Sequence, residues 1–184
     1  MQNSRTQRQI KILNNWKKIG CRGTVVAATG FGKTRTALMA CRGLIKRYGI
    51  SSIVVIVPSI GLKEQWEKHI NVNNLQAITK VFVINTAAAM HTELDCDFII
   101  YDEFHRAGSE FFGQVRAINY KYALALTATI ERTDGAHTEM LDELPICDEV
   151  SIEECLDNGW ISNYIILNLM VPFTIEDEEL YHQY

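Results

Sequence analysis

The sequence predicts a doubly wound α/β fold, a mostly parallel sheet flanked by helices, and three observations predict it. Short apolar, β-branched runs alternate with segments of helical periodicity along most of the 184 residues. Those runs are apolar throughout, as strands buried on both faces of a sheet are. Polar motifs gather just after the runs, at what a parallel sheet makes a single carboxyl edge, and ligands of such sheets bind at that edge.

The elements follow in order. Residues 5–18 read as a helix, with Ile10, Leu13, Trp16 and Lys17 recurring at three- and four-residue intervals, and residues 20–23 end it. Residues 24–28 form a first strand. The helix over 33–48 carries Leu38, Met39, Leu44 and Ile45 at helical spacing, and Gly49 is its expected C-terminal cap. Residues 52–57 are a second strand stopped by Pro58. A helix opening near Ser59 carries Leu62, Trp66 and Ile70; a third strand covers 81–84, and 86–90 is a short alanine-rich helix start. The fourth strand, 97–101, ends in the acidic pair Asp102-Glu103. A helix around 110–119 leads to a fifth strand over 122–126, which runs into Thr127-Ala128-Thr129. Beyond residue 144 a short strand is expected at 146–150. Ser151 and Glu154 have the spacing of a capping box, opening a helix that Gly159 stops. A further strand is expected at 164–171, and the acidic stretch 174–184 reads as the start of a helix.

Composition narrows the class. At 47% apolar and 22% charged, with three prolines and no low-complexity run, the chain is globular. No apolar stretch approaches the ~18 residues of a membrane span, and residues 1–9 lack a hydrophobic signal core. No membrane partner is expected. The five cysteines, Cys21, Cys41, Cys96, Cys147 and Cys155, form no C-x-x-C pair. Such a set argues against a zinc site or a disulfide framework and for a reducing, intracellular setting, cytoplasmic or nuclear. The net charge of −4 leaves no global footprint for nucleic acid, so any such contact must be local.

The chemistry concentrates at Thr29-Gly30-Phe31-Gly32-Lys33-Thr34, where a strand must turn into a helix. Glycines there let backbone N–H groups curl around an anion, and the helix N-terminus adds its positive dipole end. Lys33 supplies a cation for the β- and γ-phosphates and Thr34 a hydroxyl for Mg²⁺. Ala27 stands where the usual pattern G-x-x-x-x-G-K-[ST] has its first glycine. A glycine turn that merely links strand to helix is the competing reading, and the strand-turn-helix context favours the phosphate loop. Asp102-Glu103 at the end of a neighbouring strand suits a metal-holding acid followed by a water-polarising one. Without the upstream loop, an exposed acidic turn would be the better reading. His105 is open between a coupling role and an ordinary cap or core-edge histidine. Trp16, Trp66 and Trp160 read as core packing.

These residues resemble a family, the superfamily 2 DNA and RNA helicases and translocases, over roughly residues 9–159. Residues 28–34 look like its motif I, Val57-Pro58-Ser59 with Gln65-Trp66 like motif Ia, Asp102-Glu103-Phe104-His105 like the DExH form of motif II, and Thr127-Ala128-Thr129 like motif III. Arg132 and Asp134-Gly135 after the last motif resemble the XPB-type branch. Phe104 replaces the commoner alanine of motif II, and Ile130 the proline that follows motif III.

The resemblance implies a RecA-like P-loop domain over the whole chain, with a core of about 5–150 and an extension over 151–184 leading toward a second RecA-like domain. It implies ATP and Mg²⁺ as cofactors, with Gln9, seven residues before Trp16, reading the adenine edge. Lys33, Asp102 and Glu103 would carry the chemistry, Thr34 and Asp102 would hold Mg²⁺, and His105, Thr127 and Thr129 would couple nucleotide state to movement. Pro58, Ser59 and Thr86 would meet the backbone of a nucleic-acid strand, DNA in preference to RNA, although ordinary strand-to-helix caps account for the same residues. The family's arginine finger lies in the second domain and is typically worth 10³ to 10⁵ in rate. The first domain alone is therefore expected to bind Mg²⁺·ATP weakly and hydrolyse it poorly. Two rivals stand beside this reading: a non-catalytic nucleotide- or protein-binding module, and another P-loop enzyme such as a small kinase.

Overall fold

A computed structural model describes residues 4–103, 109–128 and 141–163. In chain order its elements are α1 (Ser4–Lys18), β1 (Arg22–Ala27), α2 (Lys33–Tyr48), β2 (Ile53–Val57), α3 (Ile60–Val72), β3 (Thr79–Val83), α4 (Ile84–Ala89), β4 (Asp95–Asp102), α5 (Ser109–Arg116), β5 (Asn119–Thr127), β6 (Ile146–Val150) and α6 (Ile152–Asp157). The strands form one six-stranded sheet in the order β3-β2-β4-β5-β1-β6, and every described pairing is parallel. The expected fold class is the observed one.

Alternation along the strands explains their continuous apolar character. In β4, Phe98 and Ile100 point into one core while Ile99 and Tyr101 point into the other; in β5, Leu124 and Leu126 oppose Ala123 and Ala125 in the same way. The larger core lies under α1, α2, α3 and α6, with Trp16 tilted against Phe98 at 5.7 Å. The smaller lies under α4 and α5. The alanines of β5 face this second layer, where they let its helices approach closely.

Helix ends follow local chemistry. Gly49 closes α2 in the left-handed conformation, its N–H donating to the Ile45 carbonyl. Ser59 caps α3 by accepting from the Leu62 N–H, and Ser151 caps α6 by accepting from the Glu154 N–H at 3.1 Å. Boundaries differ from expectation where a parallel neighbour extends a strand beyond its apolar run. β4 begins at Asp95 because it pairs with Asn119 at the start of β5, so residues 117–119 are not helical. Ile84 opens α4 instead of closing β3. The strand expected at 164–171 and the acidic stretch 174–184 lie outside the described residues.

Candidate functional site

Because all six strands run the same way, their carboxyl ends line one edge. That edge carries the turn after β1, Pro58-Ser59 after β2, Asp102-Glu103 after β4 and Thr127 at the end of β5. Thr86, exposed in α4, follows β3 on the same edge. β5 lies between β1 and β4, so the glycine turn after β1 and the acidic pair are two strands apart, and long side chains must bridge them.

The turn itself has the geometry of a cradle. Gly30 and Gly32 have φ of +86° and +100°, which β-carbon-bearing residues rarely adopt. A Cβ on Gly32 would stand 2.9 Å from Gln9 Nε2. Gly32 occupies the N-cap of α2 and no side chain caps that end, so its first N–H groups are left for an incoming anion. Thr29 is exposed, and Thr34 sits in the first turn of α2. Phe31 points the other way: it is fully buried, its ring 5.6 Å from that of Trp160, and its N–H donates to the Ala28 carbonyl. Within the loop Phe31 is an anchor, and its side chain does not face the cradle.

Lys33 is only 9% exposed. Its Nζ donates to the Ala27 carbonyl at 3.0 Å and stands 3.2 Å from Glu103 Oε1, across the gap between β1 and β4. Glu103 holds a φ of +49°, an uncommon conformation for a residue other than glycine, asparagine or aspartate. Asp102 beside it is 6% exposed. Burial pushes its carboxyl above the usual range, and the neighbouring Glu103 charge adds to this; a hydrogen bond from Trp66 and the Lys33 charge pull the other way. Gln9 is fully buried in α1; its Nε2 donates to the Gly32 carbonyl at 3.3 Å, and its Oε1 has no partner. One edge thus gathers a cation, two carboxylates, an orphaned amide oxygen and an uncapped helix end. No group of three or more His, Cys, Asp or Glu forms a metal cage among the described residues. A single carboxylate and a hydroxyl nevertheless suit Mg²⁺, which takes few protein ligands and leans on phosphate oxygens.

Two residues read as core packing, one of them also within the motif Ia resemblance, touch this edge. Trp66 is 1% exposed, as a core residue should be, but its indole Nε1–H donates to Asp102 Oδ2 at 2.7 Å. Trp160 packs on Phe31 while its Nε1–H donates to Ser4 Oγ, and a Cβ on Gly30 would meet Ile161 Cγ2 at 3.1 Å. Phe104, His105, Thr129, Ile130, Arg132, Asp134 and Gly135 lie outside the described residues. All five cysteines are free, and burial pushes the thiols of Cys41, Cys96 and Cys147 up to about 12, too high for thiolate chemistry. No helix among the described residues is long and apolar enough to cross a membrane.

Comparison with known proteins agrees with this fold. A family model described as type III restriction enzyme, res subunit, matches residues 2–87 and 67–132. The DNA 3'-5' translocase XPB2 of Sulfurisphaera tokodaii is 34% identical over 178 residues, an alignment covering 87% of this chain and 39% of that protein. Among solved structures, the Sulfolobus solfataricus SWI2/SNF2 ATPase core in complex with dsDNA superposes with a TM-score of 0.61 at 19% identity, over 75% of this chain and 35% of that one. The Pyrococcus furiosus Hef helicase domain gives 0.59 at 18% identity, over 77% and 37%. The resemblance to superfamily 2 is borne out, and the match to XPB2 is consistent with the XPB-type branch.

Proposed function

The chain belongs to the family of the type III restriction enzyme res subunit, and with it to the superfamily 2 helicases and translocases; from that premise we propose that it is the N-terminal motor domain of an ATP-dependent nucleic-acid translocase. The chain spans 39% of the length of the curated translocase it matches. Turnover and movement are accordingly proposed to need a second RecA-like domain, with residues 5–150 as the core of the first and 151–184 leading out of it. DNA is the proposed polymer and an intracellular compartment the proposed setting.

The observation that carries this reading is the Lys33–Glu103 pair at 3.2 Å, which joins the phosphate loop to the acidic end of β4 across an intervening strand. Mg²⁺·ATP, when bound, supplies the phosphoanhydride to be cleaved and the divalent charge that neutralises it. The chain's own residues do the rest. The amides of Gly30 and of residues 32–34 at the uncapped start of α2 would receive the phosphates, and Lys33 would exchange Glu103 for the γ-phosphate. Thr34 and Asp102 would hold the cation. Glu103, released from Lys33, orients and deprotonates the attacking water. Gln9, with its amide nitrogen tied to Gly32, turns Oε1 to the adenine amino group. Pro58, Ser59 and Thr86 would meet a strand's backbone through hydroxyl and main-chain groups, and His105, Thr127 and Thr129 would couple nucleotide state to movement.

Nucleotide binding by the purified chain tests the reading, with Lys33→Ala as control. Wild type should bind ATP and the variant at least tenfold more weakly. Equal binding by both would overturn the assignment.

A further inference from the structure

All three tryptophans are buried, and each indole N–H has an acceptor, as burial requires. Trp16 donates to the Ala123 carbonyl and Trp160 to a serine hydroxyl. Trp66 alone of the three donates to a carboxylate, that of Asp102, at 2.7 Å. A phenylalanine there would leave Asp102 Oδ2 without that donor, and the bond holds the buried carboxylate in place at the sheet edge.

Trp66 also ties that carboxylate to a distant point. α3 runs from Ile60 to Val72 behind its cap Ser59, so Trp66 lies two turns along one helix from Pro58-Ser59. Ser59 is exposed at the helix start, whereas Trp66 is locked in the larger core. A shift of α3 at its N-terminus therefore moves the donor that orients Asp102.

Resting on the function proposed above, we infer that Trp66 is a positioning residue: it orients Asp102 toward the divalent cation and makes the cation site respond to strand contact at the start of α3. Hydrogen-bond partners behind a metal ligand typically change metal affinity 10- to 100-fold when removed. By linkage, whatever strand binding does to cation affinity, the cation does in equal measure to strand binding.

The test compares wild type, Trp66→Phe and Ile70→Val, the last thinning the same core from the same helix without touching Asp102. Binding of a fluorescent ATP analogue is titrated with Mg²⁺ and repeated in EDTA. Trp66→Phe should need at least tenfold more Mg²⁺ for half-saturation, with EDTA affinity within twofold of wild type, and Ile70→Val should match wild type in both. A single-stranded DNA oligonucleotide should shift the Mg²⁺ midpoint of wild type and leave that of Trp66→Phe in place. An unshifted Mg²⁺ requirement in Trp66→Phe, or equal shifts in both variants, would overturn the inference. As a measurement that needs no variant, an indole N–H resonance of the ¹⁵N-labelled wild type should move when Mg²⁺ joins bound nucleotide; three unmoved indole signals would overturn it too. Absence of nucleotide binding by wild type would instead sink the proposed function on which this rests.

Discussion

At Glu103 the backbone, the charge and the proposed chemistry pull on one residue. Its left-handed φ of +49° costs on the order of 1–2 kcal/mol for an ordinary side chain, and the ion pair to Lys33 helps hold it. Glu103→Gln removes the charge and leaves the shape. ATP binding should then persist, because Lys33 no longer has a carboxylate to leave, while turnover falls by about 10² to 10⁴, the usual range for a lost general base. The comparison is read from binding and from phosphate release in a protein carrying the second domain that turnover is proposed to need. Turnover that survives the substitution would remove Glu103 from that role. The pair was a candidate in the sequence only because the glycine turn stands upstream, since two acids after an apolar strand are by themselves better read as an exposed turn. Trp66 could not be read in the same way. A tryptophan at helical spacing is a core residue by every local measure, and only the approach of α3 to the end of β4 gives its N–H a carboxylate.

Between β1 and α2 the turn depends on glycine, and one substitution separates its geometry from ordinary helix capping. Gly32→Ala places a Cβ at φ +100° and 2.9 Å from Gln9 Nε2, so it should destabilise by about 1–2 kcal/mol and displace the Gln9 amide. Gly49→Ala carries the same kind of backbone penalty at φ +63° but meets nothing within 4 Å. Thermal melts should show a loss in both variants, and ATP affinity should fall only in Gly32→Ala. Equal ATP affinity in the two would mean that the turn tolerates a side chain, against the cradle reading. At this scale the sequence was legible wherever a glycine, proline or serine ended a periodic run, as at Gly49, Pro58, Ser59 and Gly159. It misjudged strand ends such as Asp95 and Asn119, because their pairing is with each other and not with near neighbours in the chain.

Across the whole molecule, the chain is closed on itself by Arg8. Its guanidinium reaches Asp148 at 2.9 Å, Glu154 at 2.6 Å and the Glu149 carbonyl at 2.7 Å, binding α1 to β6 and α6. Asn15 supports the arrangement from the same helix by donating to Asp148. Burial alone would raise the Asp148 carboxyl, but the hydrogen bonds from Arg8 and Asn15 and the Arg8 charge outweigh it and hold the group below its ordinary value. A depressed folded value means stability that is fully present above the unfolded value, about 3.9, and lost as pH falls through the folded one. Arg8→Met should therefore destabilise by about 2 kcal/mol at neutral pH, the scale of hydrogen bonds to charged groups. The gap should narrow below about pH 4 as Asp148 takes up its proton. Denaturant melts at pH 7 and pH 3 measure it, and an undiminished gap at pH 3 would mean that Arg8 acts through packing and its bond to the Glu149 carbonyl, not through the carboxylate charge.

The sequence by itself determined the fold class and the family, and it placed a glycine turn after β1 and an acidic pair at the end of β4, because each is written in contiguous residues whose period, glycine placement or charge has a local physical cause. The tertiary structure decided which of these groups meet. Parallel strand order set β5 between β1 and β4, so that Lys33 must span it to reach Glu103. Layer packing turned Phe31 inward onto Trp160 and laid Trp66 against Asp102. Contacts between residues dozens of positions apart depend on how layers stack around a shared core, and no local pattern encodes that.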